Sequence, residues 1–176
     1  MPLTASDRGN VLIAAVSDGG CCGWENESDD QTLLVRNGKG VVVYDEAARY
    51  GNRDYDVSFY TANARLAAGN AMLAHTIVST ARTESDIRLS PEGKETAEEL
   101  ARIRKSIADL PAVEIVQLGI PPRSVAIIPR TALVGWVGSR ELLVAQDGQL
   151  TIRDTRGSLR RETGIRVRGA EDAFLR

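Results

Sequence analysis

The segment 132–154, ALVGWVGSRELLVAQDGQLTIRD, contains short apolar runs separated by turn residues. The runs at 133–137, 141–146 and 149–153 each have the length of a strand. Asp147-Gly148 separates the last two runs by two residues, and residues of this type adopt the positive φ that a tight hairpin turn requires. The segment therefore predicts three consecutive antiparallel strands joined by short turns.

The same mixture of apolar runs and turn residues extends along most of the chain. Asn37-Gly38 lies between two runs rich in Val and Leu, which predicts a second hairpin. Continuous or alternating apolar runs predict further strands at 11–16, 31–36, 40–45, 55–60, 71–79, 86–89, 113–118, 125–128 and 164–168. So many short strands with frequent turns indicate an all-β fold with antiparallel meander sheets.

One stretch, 94–110, has the period of a helix instead. Its apolar residues recur at spacings of three and four and so share one helical face: Leu100, Ile103, Ile107 and Leu110. Thr96 and Glu99 have the spacing of a capping box, and Pro111 suits a stop after the last turn. We therefore expect one α-helix, inserted at about 91–111 into the β fold.

A pattern of polar turn, glycine and apolar strand occurs in the segments 6–18, 63–79 and 132–154. Its recurrence suggests stacked supersecondary units. SDRGNVLIAAVSD (6–18) and LSPEGK (89–94) resemble the "Ser-Pro-Asp-Gly-Lys, apolar strand" repeat of WD40-like and TolB-type β-propellers. The resemblance implies propeller-like packing of four-stranded blades, although Ser6-Asp7-Arg8-Gly9 lacks the proline and the helix is no part of a blade.

The number of strands suffices for about three blades, whereas closed propellers have about four to eight. Because residues 6–9 resemble the turn before a second strand, we expect the first unit to lack its innermost strand. Three explanations follow from this count. The chain is a segment of a longer protein, it completes its sheets by association, or its strands form a β-barrel or β-sandwich instead.

Composition indicates one soluble globular domain over 1–176. Hydrophobic residues make up 43% and charged residues 26%, and the net charge of −2 gives no basic field for nucleic acid or anionic lipid. No apolar run reaches the roughly 18–20 residues that span a bilayer. Residues 1–10 lack a secretory signal. The chain as it stands is therefore expected in the cytoplasm, and outside it if it is a fragment of a longer precursor.

Catalytic signatures are absent from the sequence. The only histidine, His75, lies in the apolar run MLAHTIV and is expected to be a half-buried strand residue. Cys21 and Cys22 are adjacent, so they cannot staple distant parts of the fold. There is no nucleophile elbow, phosphate-binding loop or zinc-protease motif. These features favour a protein that is not an enzyme and holds no cofactor.

The stretch 18–30, DGGCCGWENESDD, is an acidic loop with a tryptophan. Its oxygen-bearing side chains are of the type that binds calcium: Glu25, Asn26, Glu27, Asp29 and Asp30. Their spacing does not match an EF-hand, so a solvated loop is favoured over a calcium site. A partner contact organised on Trp24 is the other alternative.

The stretch 44–56, YDEAARYGNRDYD, combines tyrosines with arginines, the residue types that dominate interface energies. We predict partner-binding residues here and in the acidic loop: Trp24, Tyr44, Arg49, Tyr50, Arg53 and Tyr55. The alternative for 44–56 is a ladder of surface ion pairs, each contributing about 0–1 kcal/mol. The arginines from Arg153 onward alternate with carboxylates, which favours a solvated strand over a nucleic-acid patch.

Together these features favour a non-enzymatic, propeller-like module that binds protein or peptide partners and forms homo-oligomers. The alternative is an accessory propeller segment of a prolyl-oligopeptidase-like hydrolase whose catalytic domain lies outside this chain. Neither reading requires nucleic acid or a membrane.

Overall fold

The computed structural model describes residues 2–5, 11–17, 30–36, 39–45, 49–50, 57, 59–69, 71–81, 83, 87 and 97–167. Within these ranges the chain forms three four-stranded antiparallel sheets and the helix α1 (Ala97–Ala108). Arg49 and Tyr50 also have helical conformation. No described sheet closes into a barrel. The predicted all-β fold with one helix is confirmed.

Each sheet is a meander in which consecutive strands are neighbours. Sheet 1 contains β1 (Pro2–Ala5), β2 (Val11–Ser17), β3 (Asp30–Arg36) and β4 (Lys39–Asp45). Sheet 2 contains β5 (Phe59–Leu66), β6 (Met72–Ser79), β7 (Ala112–Gln117) and β8 (Arg123–Ile128). Sheet 3 contains β9 (Ala132–Val137), β10 (Glu141–Gln146), β11 (Gln149–Asp154) and β12 (Leu159–Arg166).

Several strand boundaries differ from the sequence prediction. The expectation that the first unit lacks its innermost strand is wrong, because β1 pairs with β2. β5 begins at Phe59 rather than at 55, and β12 begins at Leu159 rather than at 164. Ile87 is the described residue of the expected strand 86–89, and it is not in a strand. The turn-like fragment 89–94 lies outside the described residues.

The three sheets stack in chain order, with their first strands adjacent. β1 contacts β5, and β5 contacts β9. β3 also contacts β5, while β6 and β7 contact β9. Sheet 2 therefore lies between sheets 1 and 3.

Side chains of sheet 2 alternate between its two neighbours, as the period of a strand requires. On β6, Ala74 packs in the core shared with sheet 3, and the Thr76 hydroxyl accepts a hydrogen bond from the Leu133 amide of sheet 3 at 3.0 Å. Leu73 packs in the core shared with Val43 of sheet 1. The two faces of one strand thus hold both neighbours in place.

A β-bulge in β5 lies at the centre of this arrangement. Asn63 and Ala64 together oppose His75 of β6. Asn63 takes a positive φ of 51°, and its side-chain amide donates to the Leu133 carbonyl of sheet 3. The extra residue therefore turns a polar side chain from sheet 2 towards sheet 3.

Helix α1 is inserted between β6 and β7. Its apolar face is fully buried at Ile103 and nearly so at Ile107, and these residues pack on Val57, Phe59 and Ala81. Glu98 and Glu99 lie in its first turn and Lys105 in its last, which suits the helix dipole. The helix thus covers one end of sheet 2, as the insertion hypothesis predicts.

Candidate functional site

Three of the six predicted partner-binding residues are described, and they lie close together beside sheet 2. Tyr44 is a buried residue next to the last residue of β4. Arg49 and Tyr50 follow in helical conformation. Tyr44 and Arg49 contact a buried polar pair on β6 and β7. Trp24, Arg53 and Tyr55 lie outside the described residues, and their predicted role stays a prediction.

The buried pair consists of His75 and Glu114. They are direct cross-strand partners on β6 and β7, and their side chains are 0% and 1% exposed. The imidazole Nε2 lies 2.8 Å from Glu114 Oε2. His75, expected to be half-buried, is therefore fully buried, and its environment contains a carboxylate.

Arg49 approaches the second oxygen of the same carboxylate. Its Nη2 donates to Glu114 Oε1 at 2.5 Å, and its Cζ lies 5.2 Å from the centre of the Tyr44 ring. The Tyr44 ring also meets His75 edge-on, with ring centres 5.8 Å apart. Its hydroxyl donates to the Phe59 carbonyl at 3.0 Å. The cluster of Tyr44, Arg49, His75 and Glu114 therefore joins sheet 1 and the segment after it to sheet 2.

The electrostatics of this polar cluster favour a charged carboxylate in spite of its burial. Burial alone raises the pKa of Glu114, but the hydrogen bonds from His75 and Arg49 and the nearby charge outweigh it and hold the pKa at about 2. Burial lowers the pKa of Arg49, yet the Glu114 carboxylate raises it above its ordinary value. Glu114 is therefore an anion across the physiological range.

Two nitrogen atoms in the cluster have no hydrogen-bond partner among the described residues, Arg49 Nη1 and His75 Nδ1. Both are buried. The 2.8 Å contact with the carboxylate means that Nε2 carries a proton, because a carboxylate oxygen can only accept. His75 is 0% exposed, and its contacts with Tyr44 and Glu114 connect sheet 1 to sheet 2.

Tyr50 extends the polar cluster towards the helix. Its ring stacks on Phe59, with centres 4.0 Å apart and planes 13° apart. Arg102 of α1 donates to the Tyr50 carbonyl at 3.0 Å. The segment after sheet 1 is thereby held between sheet 2 and the helix. Arg49 does not form the surface ion pair suggested for this stretch, because its partner Glu114 is buried.

A second polar site lies at the end of sheet 3, where the turns β9–β10 and β11–β12 meet. It is a cleft of about 500 Å³ lined by six polar residues, which we call the arginine cleft: Arg140, Glu141, Asp154, Thr155, Arg156 and Arg160. The residues from Arg153 onward were expected to form a solvated strand. Arg160 is indeed exposed, yet it takes part in an organised site.

Asp154 organises the β11–β12 turn. Its Oδ1 accepts the backbone amides of Arg156 and Ser158 at 2.9 and 3.0 Å, and its Oδ2 lies 2.9 Å from Arg160 Nη2. Partial burial raises the pKa of Asp154, but these hydrogen bonds and the neighbouring arginines lower it by more. Arg153 donates to the Gly157 carbonyl at 2.8 Å from the sheet side of the turn.

Gly157 is required in this turn for two reasons. Its φ is +81°, which side chains rarely tolerate, and a Cβ there would lie 3.1 Å from Ile128 Cγ1 of sheet 2. The turn therefore rests against sheet 2 and has a defined conformation.

Sequence reasoning missed Glu114 and the arginine cleft. A signal for Glu114 exists, since VEIVQL and MLAHTIV each contain one ionisable residue inside an apolar strand. If two such strands pair, their buried ionisable side chains have to form hydrogen bonds with each other. The cleft has no comparable signal, because it depends on which turns meet.

Among the described residues, no group of three or more His, Cys, Asp or Glu side chains is placed to hold a metal ion. Of the residues suggested as calcium ligands, Asp30 begins β3 and the others lie outside the described ranges. Within those ranges, no helix has both the length and the apolar character needed to cross a membrane.

Comparisons with family models, curated proteins and solved structures gave no match to this chain.

Proposed function

We propose that this chain is a non-enzymatic, propeller-like module that binds a protein or peptide partner. The observation that carries the proposal is the half-exposed apolar surface on the outer faces of sheets 1 and 3. Contiguous apolar surface of this kind is typical of interaction sites.

The outer face of sheet 1 is identified by register. Thr32 faces sheet 2, because its hydroxyl lies 2.5 Å from that of Thr61. Leu33, the next residue, therefore points away from sheet 2, and so does its cross-strand partner Val42, which is 41% exposed. Val35 lies on the same face as Leu33 and is partly exposed.

The outer face of sheet 3 is identified in the same way. Leu142 packs in the core shared with sheet 2, so Glu141 and Leu143 point away from it. Val137 lies opposite Glu141 and is 41% exposed, and Leu143 is partly exposed. No other described sheet covers either outer face, although Ala145 and Ile152, on the same face of sheet 3 as Leu143, are buried.

Propeller-like packing is supported by the adjacency of β1, β5 and β9, because the first strands of propeller blades surround the axis. We further propose that copies of the chain self-associate through the two outer faces, since three sheets are fewer than a ring requires.

The binding proposal is tested with peptides selected from a random display library of about a dozen residues per peptide. Selected peptides are titrated by calorimetry into the unmodified chain and into the double variant Val42→Lys/Val137→Lys, called the face variant. We expect dissociation constants in the micromolar range and a loss of about tenfold or more in the face variant, because lysine places charge on an apolar contact surface.

The matched control is Ile120→Lys, which changes an apolar side chain that is 94% exposed but lies in the loop after β7. It should leave the affinity unchanged. If no peptide is selected, or if the face variant binds the selected peptides as well as the control does, the proposal is wrong.

A further inference from the structure

The charged side chains that line the arginine cleft leave an excess of one positive charge. Three arginines and two carboxylates line it, but both oxygens of Asp154 are already engaged by backbone amides and Arg160. The guanidinium groups of Arg140 and Arg156 have no hydrogen-bond partner or ion pair among the described residues. Both side chains are exposed. Two arginines whose guanidinium groups make no hydrogen bond among the described residues thus line one cleft.

The turn that presents Arg156 is ordered before any ligand arrives. Asp154 accepts two backbone amides of the turn, the Gly157 amide donates to the Asp154 carbonyl at 2.9 Å, and Arg153 holds the Gly157 carbonyl. A turn with so many internal hydrogen bonds loses little conformational freedom on binding, which favours affinity.

The cleft lies at the margin of the outer face of sheet 3. Glu141 and Asp154 are direct cross-strand partners, so their side chains share one face. Leu142 and Arg153 form the next pair along the strands, and Leu142 packs towards sheet 2. Glu141 and Asp154 therefore lie on the face that points away from sheet 2, in line with the exposed Val137.

We infer that the arginine cleft binds the carboxylate side chains of an acidic segment of a partner protein, placed beside the apolar outer face of sheet 3. Arginine forms two parallel hydrogen bonds with a carboxylate, and the volume of about 500 Å³ accommodates more than one such side chain. This inference rests on the proposed binding function and adds the chemical class of the partner.

A second copy of the chain does not fit the cleft. Suppose that sheet 1 of a second copy packs on sheet 3 of the first copy, in the way that sheet 2 packs on sheet 1 within one chain. The β3–β4 turn of the second copy would then lie at the same strand end as the β11–β12 turn of the first. Lys39, the first residue of β4, lies at that strand end and is exposed. Positive charge would then meet positive charge, so a separate acidic segment is the occupant that the charges favour.

The test uses a fluorescein-labelled hexaglutamate peptide and the matched hexaglutamine peptide, titrated into the full chain by fluorescence anisotropy. Four proteins are compared: the unmodified chain, Arg140→Ala/Arg156→Ala, Arg140→Lys/Arg156→Lys and the control Arg123→Ala. Arg123 is an exposed arginine at the start of β8 and does not line the cleft.

We expect the glutamate peptide to bind the unmodified chain and the control equally, and the glutamine peptide to bind neither. The alanine double variant should lose about tenfold or more in affinity, and the lysine double variant should retain part of it, because lysine keeps the charge without the planar fork. Affinity should fall as salt is raised.

Equal binding by the alanine double variant and the control overturns the inference. So does binding of inorganic phosphate without binding of the glutamate peptide, which would assign the cleft to small anions. The face variant separates the two proposals. If library-selected peptides still depend on the outer faces while the glutamate peptide does not bind, the cleft inference fails and the binding function stands.

Discussion

Glu114 illustrates how a buried charge is retained inside a sheet. Its carboxylate is 1% exposed, yet each oxygen meets a donor, one from His75 and one from Arg49. A buried pair of this type adds little net stability compared with an apolar core, but removing one partner is costly because the other charge remains buried. The main role of the cluster is therefore to fix the position of sheet 1 relative to sheet 2.

We expect Glu114→Gln to lower the free energy of unfolding at neutral pH by about 3 kcal/mol, because the partly buried Arg49 loses its anion and the buried His75 loses its acceptor. Urea titration followed by circular dichroism measures this. Glu162→Gln, at an exposed position of β12, is the matched control and should change stability by less than about 0.5 kcal/mol. Equal stability of the two variants would contradict the structural role of Glu114.

The same substitution has a pH signature. The folded pKa of Glu114 is about 2, below its ordinary value of 4.5. Its contribution to stability is therefore complete above pH 4.5 and is lost as the pH falls towards 2, a change of about 3 kcal/mol. The difference in stability between the unmodified chain and Glu114→Gln should shrink over this window, and parallel curves would show that the pKa is not lowered.

The sequence predicts that His75 and Glu114 lie in strands, but it does not predict that they pair. His75 lies in a run that the apolar pattern assigns to a strand, and so does Glu114. Their contact depends on the register of β6 and β7, which are separated along the chain by the helical insertion. Local patterns do not contain that register, since it is set by packing of the whole sheet.

At the scale of elements, β10 and β11 are strands that the sequence pattern identified, and both contain buried residues. β10 and β11 begin where the pattern places them, and the turn between them has positive φ at Asp147 and Gly148. β12 was largely missed because it is an edge strand in which nearly all residues are exposed and many are charged. The later part of β5, up to Leu66, was missed because the bulge at Asn63 interrupts the alternation.

Helix α1 is the element whose prediction from sequence can be tested most directly. Ile103 is 0% exposed and packs on Phe59 and Val57, so Ile103→Ala should cost about 2–4 kcal/mol of stability. Lys105→Ala, on the exposed side of the same helix, keeps the helix propensity and is the control. A loss below about 0.5 kcal/mol for Ile103→Ala in urea titration would mean that the helix is only a surface feature.

At the scale of the whole molecule, the two outer faces and the two charged margins have opposite effects on contact between copies of the chain. Leu33 and Val42 on sheet 1, and Val137 and Leu143 on sheet 3, favour contact between copies because contact removes apolar area from water. The arginine cleft and Lys39 lie at equivalent strand ends and oppose that contact by repulsion. The sequence suggested the apolar faces through the strand count, but not the charges at their margins, which depend on the stacking order.

This opposition predicts how self-association depends on salt. Added salt screens the repulsion between the margins and leaves the apolar contact intact, so the mass measured by light scattering should rise above 19.0 kDa with concentration and more steeply at high salt. Binding of the hexaglutamate peptide should weaken under the same conditions, because it depends on attraction.

The face variant should stay monomeric at every salt concentration, while Ile120→Lys should behave as the unmodified chain does. A mass that stays at 19.0 kDa throughout the series would rule out association through the outer faces. Association that weakens with salt would instead locate the contact at charged rather than apolar surfaces.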